Sequence, residues 1–138
     1  MIKPPELFEG VPYSYASAVA PGATVFTAGA CPIDADGRVV DPGDVPAQTR
    51  RTLENLIVAL RAAGCSLDDV LKTTVYVASS DRDDLLAAWA VVESELGSDG
   101  PPSTLLGVAA LGFDGQLVEI EAVAAVPARE HGLVHREV

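Results

Sequence analysis

Cysteine is scarce in this sequence, and its scarcity removes two chemistries together. Cys31 and Cys65 are the only two in 138 residues. They are too few for the disulfide framework of a small secreted domain and lack the CxxC spacing of a metal or redox site. Both read as packed thiols; Cys31 follows an expected strand, but no histidine lies near it in sequence to activate it as a nucleophile. Positive charge is scarce too. Nine Lys and Arg stand against 20 Asp and Glu, a formal charge of −11, which repels a phosphate backbone and argues against nucleic-acid binding. No apolar run approaches the roughly 20 residues of a membrane helix. The opening Met1-Ile2-Lys3-Pro4-Pro5-Glu6 turns polar and prolyl at once, unlike a leader. A soluble, cytoplasmic protein is expected. His131 and His135 have the i, i+4 spacing of a helical metal pair, but Gly132 interrupts them and the surrounding tail looks frayed, so no metal site is read there.

What is present is apolar. Hydrophobic residues make up 49% of the chain and charged ones 21%, the composition of a folded globular protein, and the length suits one domain spanning residues 1–138. So apolar a small domain is expected to bury part of its surface in an oligomer. Pro and Gly clusters fall at turn spacing rather than as a linker. Ser14 to Val19 and Thr24-Val25-Phe26-Thr27 read as a β-hairpin around Pro21-Gly22 that closes at Ala28-Gly29. From Val45 to Ala63, Leu53, Leu56, Ile57 and Leu60 recur at helical spacing, with Gln48, Arg50, Arg51, Glu54 and Arg61 on the other face and Gly64 as the C-terminal cap. Leu71 to Val77 alternates with period two, the mark of a strand with one buried face. Ser79, Ser80 and Asp81 offer caps for a second helix carrying Leu85, Ala88, Trp89, Val92 and Leu96, which stops at Gly97. Ser103 to Ala109 and Gln116 to Val126 read as two further strands. The order β-β-α-β-α-β-β predicts an α+β sandwich with two helices on one face of a mixed sheet. The other face needs a cover, and a second subunit is the economical one.

Several segments, in order, resemble one family. Pro12-Tyr13-Ser14, Val25-Phe26-Thr27-Ala28-Gly29 with Pro32-Ile33, Gln48-Thr49-Arg50 with Leu53-Glu54-Asn55-Leu56, Ala63-Gly64, Asp68-Asp69-Val70, Lys72-Thr73-Thr74-Val75-Tyr76-Val77 and Leu117-Val118-Glu119-Ile120-Glu121-Ala122 are similar to the RidA/YjgF family, also labelled L-PSP endoribonuclease-like. The resemblance implies a chorismate-mutase-like fold, a homotrimer with three clefts between subunits, and, in the deaminase branch, hydrolysis of reactive imines and enamines without metal or organic cofactor. It places Glu119 at the cleft as general base or water-positioning group, with Tyr13 and the backbone around Gly29 and Leu105 beside it.

The same comparison shows departures. Pro101-Pro102-Ser103-Thr104 stands where the deaminases carry Pro-Ala-Arg-Ser/Thr, so Ser103 replaces the arginine that grips the substrate carboxylate; a hydroxyl offers one neutral donor where a guanidinium offers two charged ones. Ala28 replaces a family serine, and Trp89 stands at a helix asparagine. Each candidate also has a plain structural reading. Tyr13 is a cleft wall or a packed aromatic, Trp89 is core by default or a wall for a flat ligand, Ser103 and Thr104 orient a ligand or simply begin a strand, and Glu121 is read as structural. Arg38, Arg129 or Arg136 of a neighbouring subunit could restore the missing cation. Three functions follow: a hydrolase of a small imine, enamine or carbonyl-type metabolite, a non-catalytic ligand-binding or interaction trimer, and an endoribonuclease, which the charge opposes.

Overall fold

Asp44 opens the first helix because its carboxylate accepts the Ala47 N–H at 3.0 Å, and Pro46 sits in the first turn, where its missing N–H costs nothing. In the computed structural model, which describes residues 2–17 and 21–128, this helix, α1, runs Val45–Ala62. It ends where Gly64 takes a φ of +86°, and the Cys65 N–H returns to the Leu60 carbonyl. The second helix, α2, spans Arg82–Leu96, with Asp81 as its cap. Strands β1 (Ala16–Ser17), β2 (Thr24–Thr27), β3 (Val70–Val77), β4 (Ser103–Gly107) and β5 (Val118–Ala125) form one sheet in the order β1-β2-β5-β3-β4. Among the described strands, only the β3–β4 pair is parallel; its crossover is α2. The α+β class and the element order are those expected from sequence. The last two strands are consecutive in the chain but not neighbours: β5 inserts between β2 and β3, which leaves β4 on the edge.

Alternation along β3 and β5 sorts the sheet into two faces. Val75, Val77, Val118, Ile120 and Ala124 are wholly buried and form one core with Leu53, Leu56 and Leu60 of α1 and Ala88 and Val92 of α2. A second, smaller core joins Leu7, Val11 and Tyr15 of the N-terminal segment to Ala59 of α1, with Phe113 packed against it. The opposite sheet face carries Phe26 at 60% exposure and Leu106 at 42%, and none of the described elements covers it. It is not uniformly apolar. There the Tyr76 hydroxyl donates to Glu121 and the Lys72 ammonium to Thr104, each at 2.5 Å.

One helix assignment needs correction. Gln48, expected on the outer face of α1, has no exposed surface at all. Its amide is used in full: Nε2 donates to the carbonyls of Asp41 and Gly115, and Oε1 accepts the Leu117 N–H at 2.8 Å. A buried amide with every partner in place is tolerated where an unpaired one is not. Val19 of the first expected strand, and Arg129, His131, His135 and Arg136, lie outside the described residues.

Candidate functional site

Two polar side chains of α1 fix the loops on which the site is built. Asn55 donates to the carbonyls of Cys31 at 2.8 Å and Ile33 at 2.9 Å, holding the segment that follows β2. Gln48, two turns earlier on the same side of the helix, holds the segment that leads into β5. Between those segments lies a cavity of about 430 Å³, walled by Tyr13, Ala28, Gly29 and Cys31 on one side and by Gly112, Phe113, Gln116 and Glu119 on the other. Glu119 is the charged group in that wall. It stands on the uncovered sheet face, in register with Tyr76 of β3, and its neighbours Val118 and Ile120 point into the core.

The fit around Glu119 is close. A side chain at position 29 would overlap its carboxylate, so Gly29 is required here by contact rather than by backbone angle. Gln116, 4% exposed, donates from Nε2 to Glu119 Oε1 at 3.1 Å, and the Cys31 thiol lies 3.5 Å from the same oxygen. Tyr13 stacks edge to face on Tyr15 with ring centroids 5.8 Å apart. Tyr15 is anchored in turn by its hydroxyl, which donates to the Phe8 carbonyl at 2.6 Å. Burial, then the nearby Cys31 and Glu119, push the Tyr13 phenol above its usual value. It therefore stays a hydroxyl at neutral pH. Burial, and the Glu119 charge beside it, raise the Cys31 thiol to about 12. A thiol so placed is a weak hydrogen-bond donor and not an ionised nucleophile.

Of the residues singled out from sequence, Tyr13, Ala28, Gly29 and Glu119 meet in this cavity. Trp89 and Ser103 meet elsewhere, in a small cleft of about 90 Å³ between the end of α2 and the start of β4. Trp89 is half-buried there and also packs on the main core. Ser103 is bonded to Thr73 and to the Pro101 carbonyl. Thr104 faces solvent on the uncovered sheet face, where it accepts from Lys72, while Leu105 packs on the core. Arg38 projects from an exposed turn closed on Asp34 and lines neither cavity. Cys31, Phe113 and Gln116 were not singled out as site residues. The local signal that could have pointed to them is position: Cys31 stands two residues past Gly29, and Gln116 three before Glu119. Among the described residues, no group of three or more His, Cys, Asp or Glu side chains is placed to hold a metal ion.

A family model described as Endoribonuclease L-PSP matches residues 10–126. A RutC family protein of Pyrococcus horikoshii is 39% identical over 110 residues, 80% of this chain and 85% of its own. A Salmonella typhimurium protein named 2-iminobutanoate/2-iminopropanoate deaminase is 37% identical over 114 residues, again 80% and 85% of the two chains. Among solved structures, RidA from an Antarctic Psychrobacter superimposes with a TM-score of 0.76 at 30% identity, covering 90% of this chain and 97% of the other. E. coli TdcF with bound serine gives 0.74 at 31% identity over 91% and 97%. With a family match reaching from the N-terminal segment to the end of β5, and with the two-helix mixed sheet shared at this level of identity, the chain belongs to the RidA/YjgF family.

Proposed function

We propose that this protein assembles as a homotrimer and hydrolyses a small imine, enamine or related carbonyl-type compound in a cleft between subunits, with Glu119 handling the proton of the attacking water, in the cytoplasm. The observation that carries this reading is the Glu119 carboxylate, held at the wall of a cavity beside a neutral phenol. Water adds its oxygen to the C=N carbon while one of its protons passes to Glu119 and on to nitrogen, giving a carbinolamine; Glu119 then carries the remaining hydroxyl proton to nitrogen as the C–N bond breaks, leaving a carbonyl and free ammonia or amine. An imine is labile in water already, so orientation and one proton relay are most of what is needed.

Two features support an intersubunit site and a substrate without the usual carboxylate. Within one chain the Glu119 cavity and the Trp89–Ser103 cleft are separate, so a site that uses both takes one wall from each of two subunits. Among the described residues, no Lys, Arg or His lines either, and Ser103 stands at the position where the family resemblance implies the carboxylate-gripping arginine. A neutral or cationic imine is the better fit to walls whose charged groups are carboxylates.

The test generates imines in situ, neutral ones with an amine oxidase and carboxylated ones with an amino-acid oxidase, and follows their decay. Faster loss of the neutral imines is expected, with Glu119→Gln slowing it by about 10²–10⁴-fold and Ser103→Arg extending activity to carboxylated imines. Turnover untouched by Glu119→Gln overturns the hydrolytic reading. If thermal-shift screening then finds a ligand that stabilises the protein without being consumed, the non-catalytic binding trimer takes its place. RNA cleavage abolished by a cavity substitution would instead establish the endoribonuclease.

A further inference from the structure

The two oxygens of Glu119 are not equivalent. Oε1 receives the Gln116 Nε2 donor at 3.1 Å and lies 3.5 Å from the Cys31 thiol, whereas Oε2 rests over the Cα of Gly29, where a Cβ would overlap it. We propose that Gln116, assisted by Cys31, is a positioning residue that tethers Oε1 and leaves Oε2 as the single working oxygen of the site. This rests on the reading of Glu119 as the proton-handling group.

The direction of the Gln116 amide is fixed by its other partners. Its Oε1 accepts the Phe113 N–H at 3.1 Å, and its Nε2 also donates to the Val118 carbonyl at 3.0 Å. A flipped amide would set NH₂ against an N–H and an oxygen against a carbonyl, losing both bonds and adding repulsion within a side chain that is 4% exposed. Nε2 therefore faces Glu119. A donor aimed at Oε1 leaves that oxygen no room for a proton, so any proton that Glu119 accepts goes onto the other oxygen. The Cys31 thiol has one proton for two acceptors, Glu119 Oε1 and the Gly29 carbonyl at 3.4 Å, so it is the weaker tether. The remaining groups facing Glu119 do not supply this effect. Tyr13 from the N-terminal segment and Tyr76 from β3 are neutral phenols, and Glu121, on the same strand, is a like charge already engaged by the Tyr76 hydroxyl. No cation faces it.

Gln116→Glu is the informative change, because it keeps an acceptor for Phe113 N–H while replacing the donor with a second carboxylate. The titration of the Glu119 carboxyl is read by ¹³C NMR, with Glu119→Gln identifying its signal. Gln116→Glu is expected to move that titration upward by about one to two pH units, and Cys31→Ala by less in the same sense, with Cys31→Ser returning towards the parent. On the proposed imines, the acid limb of the kcat/KM profile should move with it while KM changes less than kcat. Unfolding of Gln116→Glu would leave the Cys31 pair to decide. A Glu119 titration identical in the parent, Gln116→Glu and Cys31→Ala overturns the tether. If the titration moves but Glu119→Gln leaves imine turnover intact, the tether stands and the hydrolytic reading falls.

Discussion

Burial of Cys31 makes the fold sensitive to alkali. Its thiol is raised from 9.0 to about 12 by burial and by the Glu119 charge, and Tyr15 is raised from 10.0 to about 12, chiefly by burial. In both cases the folded chain favours the neutral form. The stabilisation is complete below the unfolded values and is lost as pH climbs through 9 towards 12. Urea midpoints measured from pH 8 to 11 should therefore fall, and Cys31→Ser, which does not titrate, should flatten the first part of that decline; a midpoint level to pH 11 in the parent would refute it. Thr52 gives a contrary case. Its hydroxyl is buried in α1 with no partner among the described residues, so Thr52→Val is expected to raise stability by about 1 kcal/mol, seen as a higher Tm. At this scale the sequence is read poorly. Gly29 was marked by resemblance, but the reason for glycine there is Glu119, 90 positions away, and no local pattern shows it.

Helix α1 does more than bury apolar surface. Besides Thr52, its buried polar residues are Thr49, satisfied by the Val45 carbonyl one turn back at 2.7 Å, and Gln48, satisfied by loop backbone from positions 41, 115 and 117. Asn55 adds the bonds to Cys31 and Ile33. Gln48→Ala removes partners from the Leu117 N–H and the Gly115 carbonyl and opens a void, a loss of about 2–4 kcal/mol in denaturant unfolding. Asn55→Ala, at a position itself only half-buried and with Arg51 also donating to the Ile33 carbonyl, should cost less and show itself in faster amide exchange at 31–33. Equal costs would mean that the two loops are held by other contacts. The elements themselves were legible because period is a local property: alternation at 118–125 and at 70–77, and helical spacing at Leu53, Leu56 and Leu60, survive in any tertiary setting that buries one face. Gln48 was misplaced for the converse reason, since a glutamine is polar in sequence and becomes a core residue only when three distant backbone groups arrive to meet it.

The sheet has two faces, and the described residues cover one. Phe26, Leu106 and Val123 stand on the open face with the Tyr76–Glu121 and Lys72–Thr104 pairs, a mixture of apolar area and satisfied polar groups suited to burial against copies of itself rather than to water. Each copy carries −11, so three brought together repel, and the repulsion is screened at ordinary ionic strength. Sedimentation is therefore expected to give three times the 14.3 kDa of the chain, with dissociation favoured at low salt. Phe26→Glu places a charge on that face and should yield monomers. Its effect on turnover should be as severe as that of Glu119→Gln, although position 26 lines neither cavity, because the proposed site takes its Trp89–Ser103 wall from the next subunit. A Phe26→Glu protein that sediments as the parent would show that another surface makes the assembly. One that is monomeric yet fully active would show that the Glu119 cavity works without a neighbour, and the separation of the two clefts within one chain would then reflect two unrelated sites.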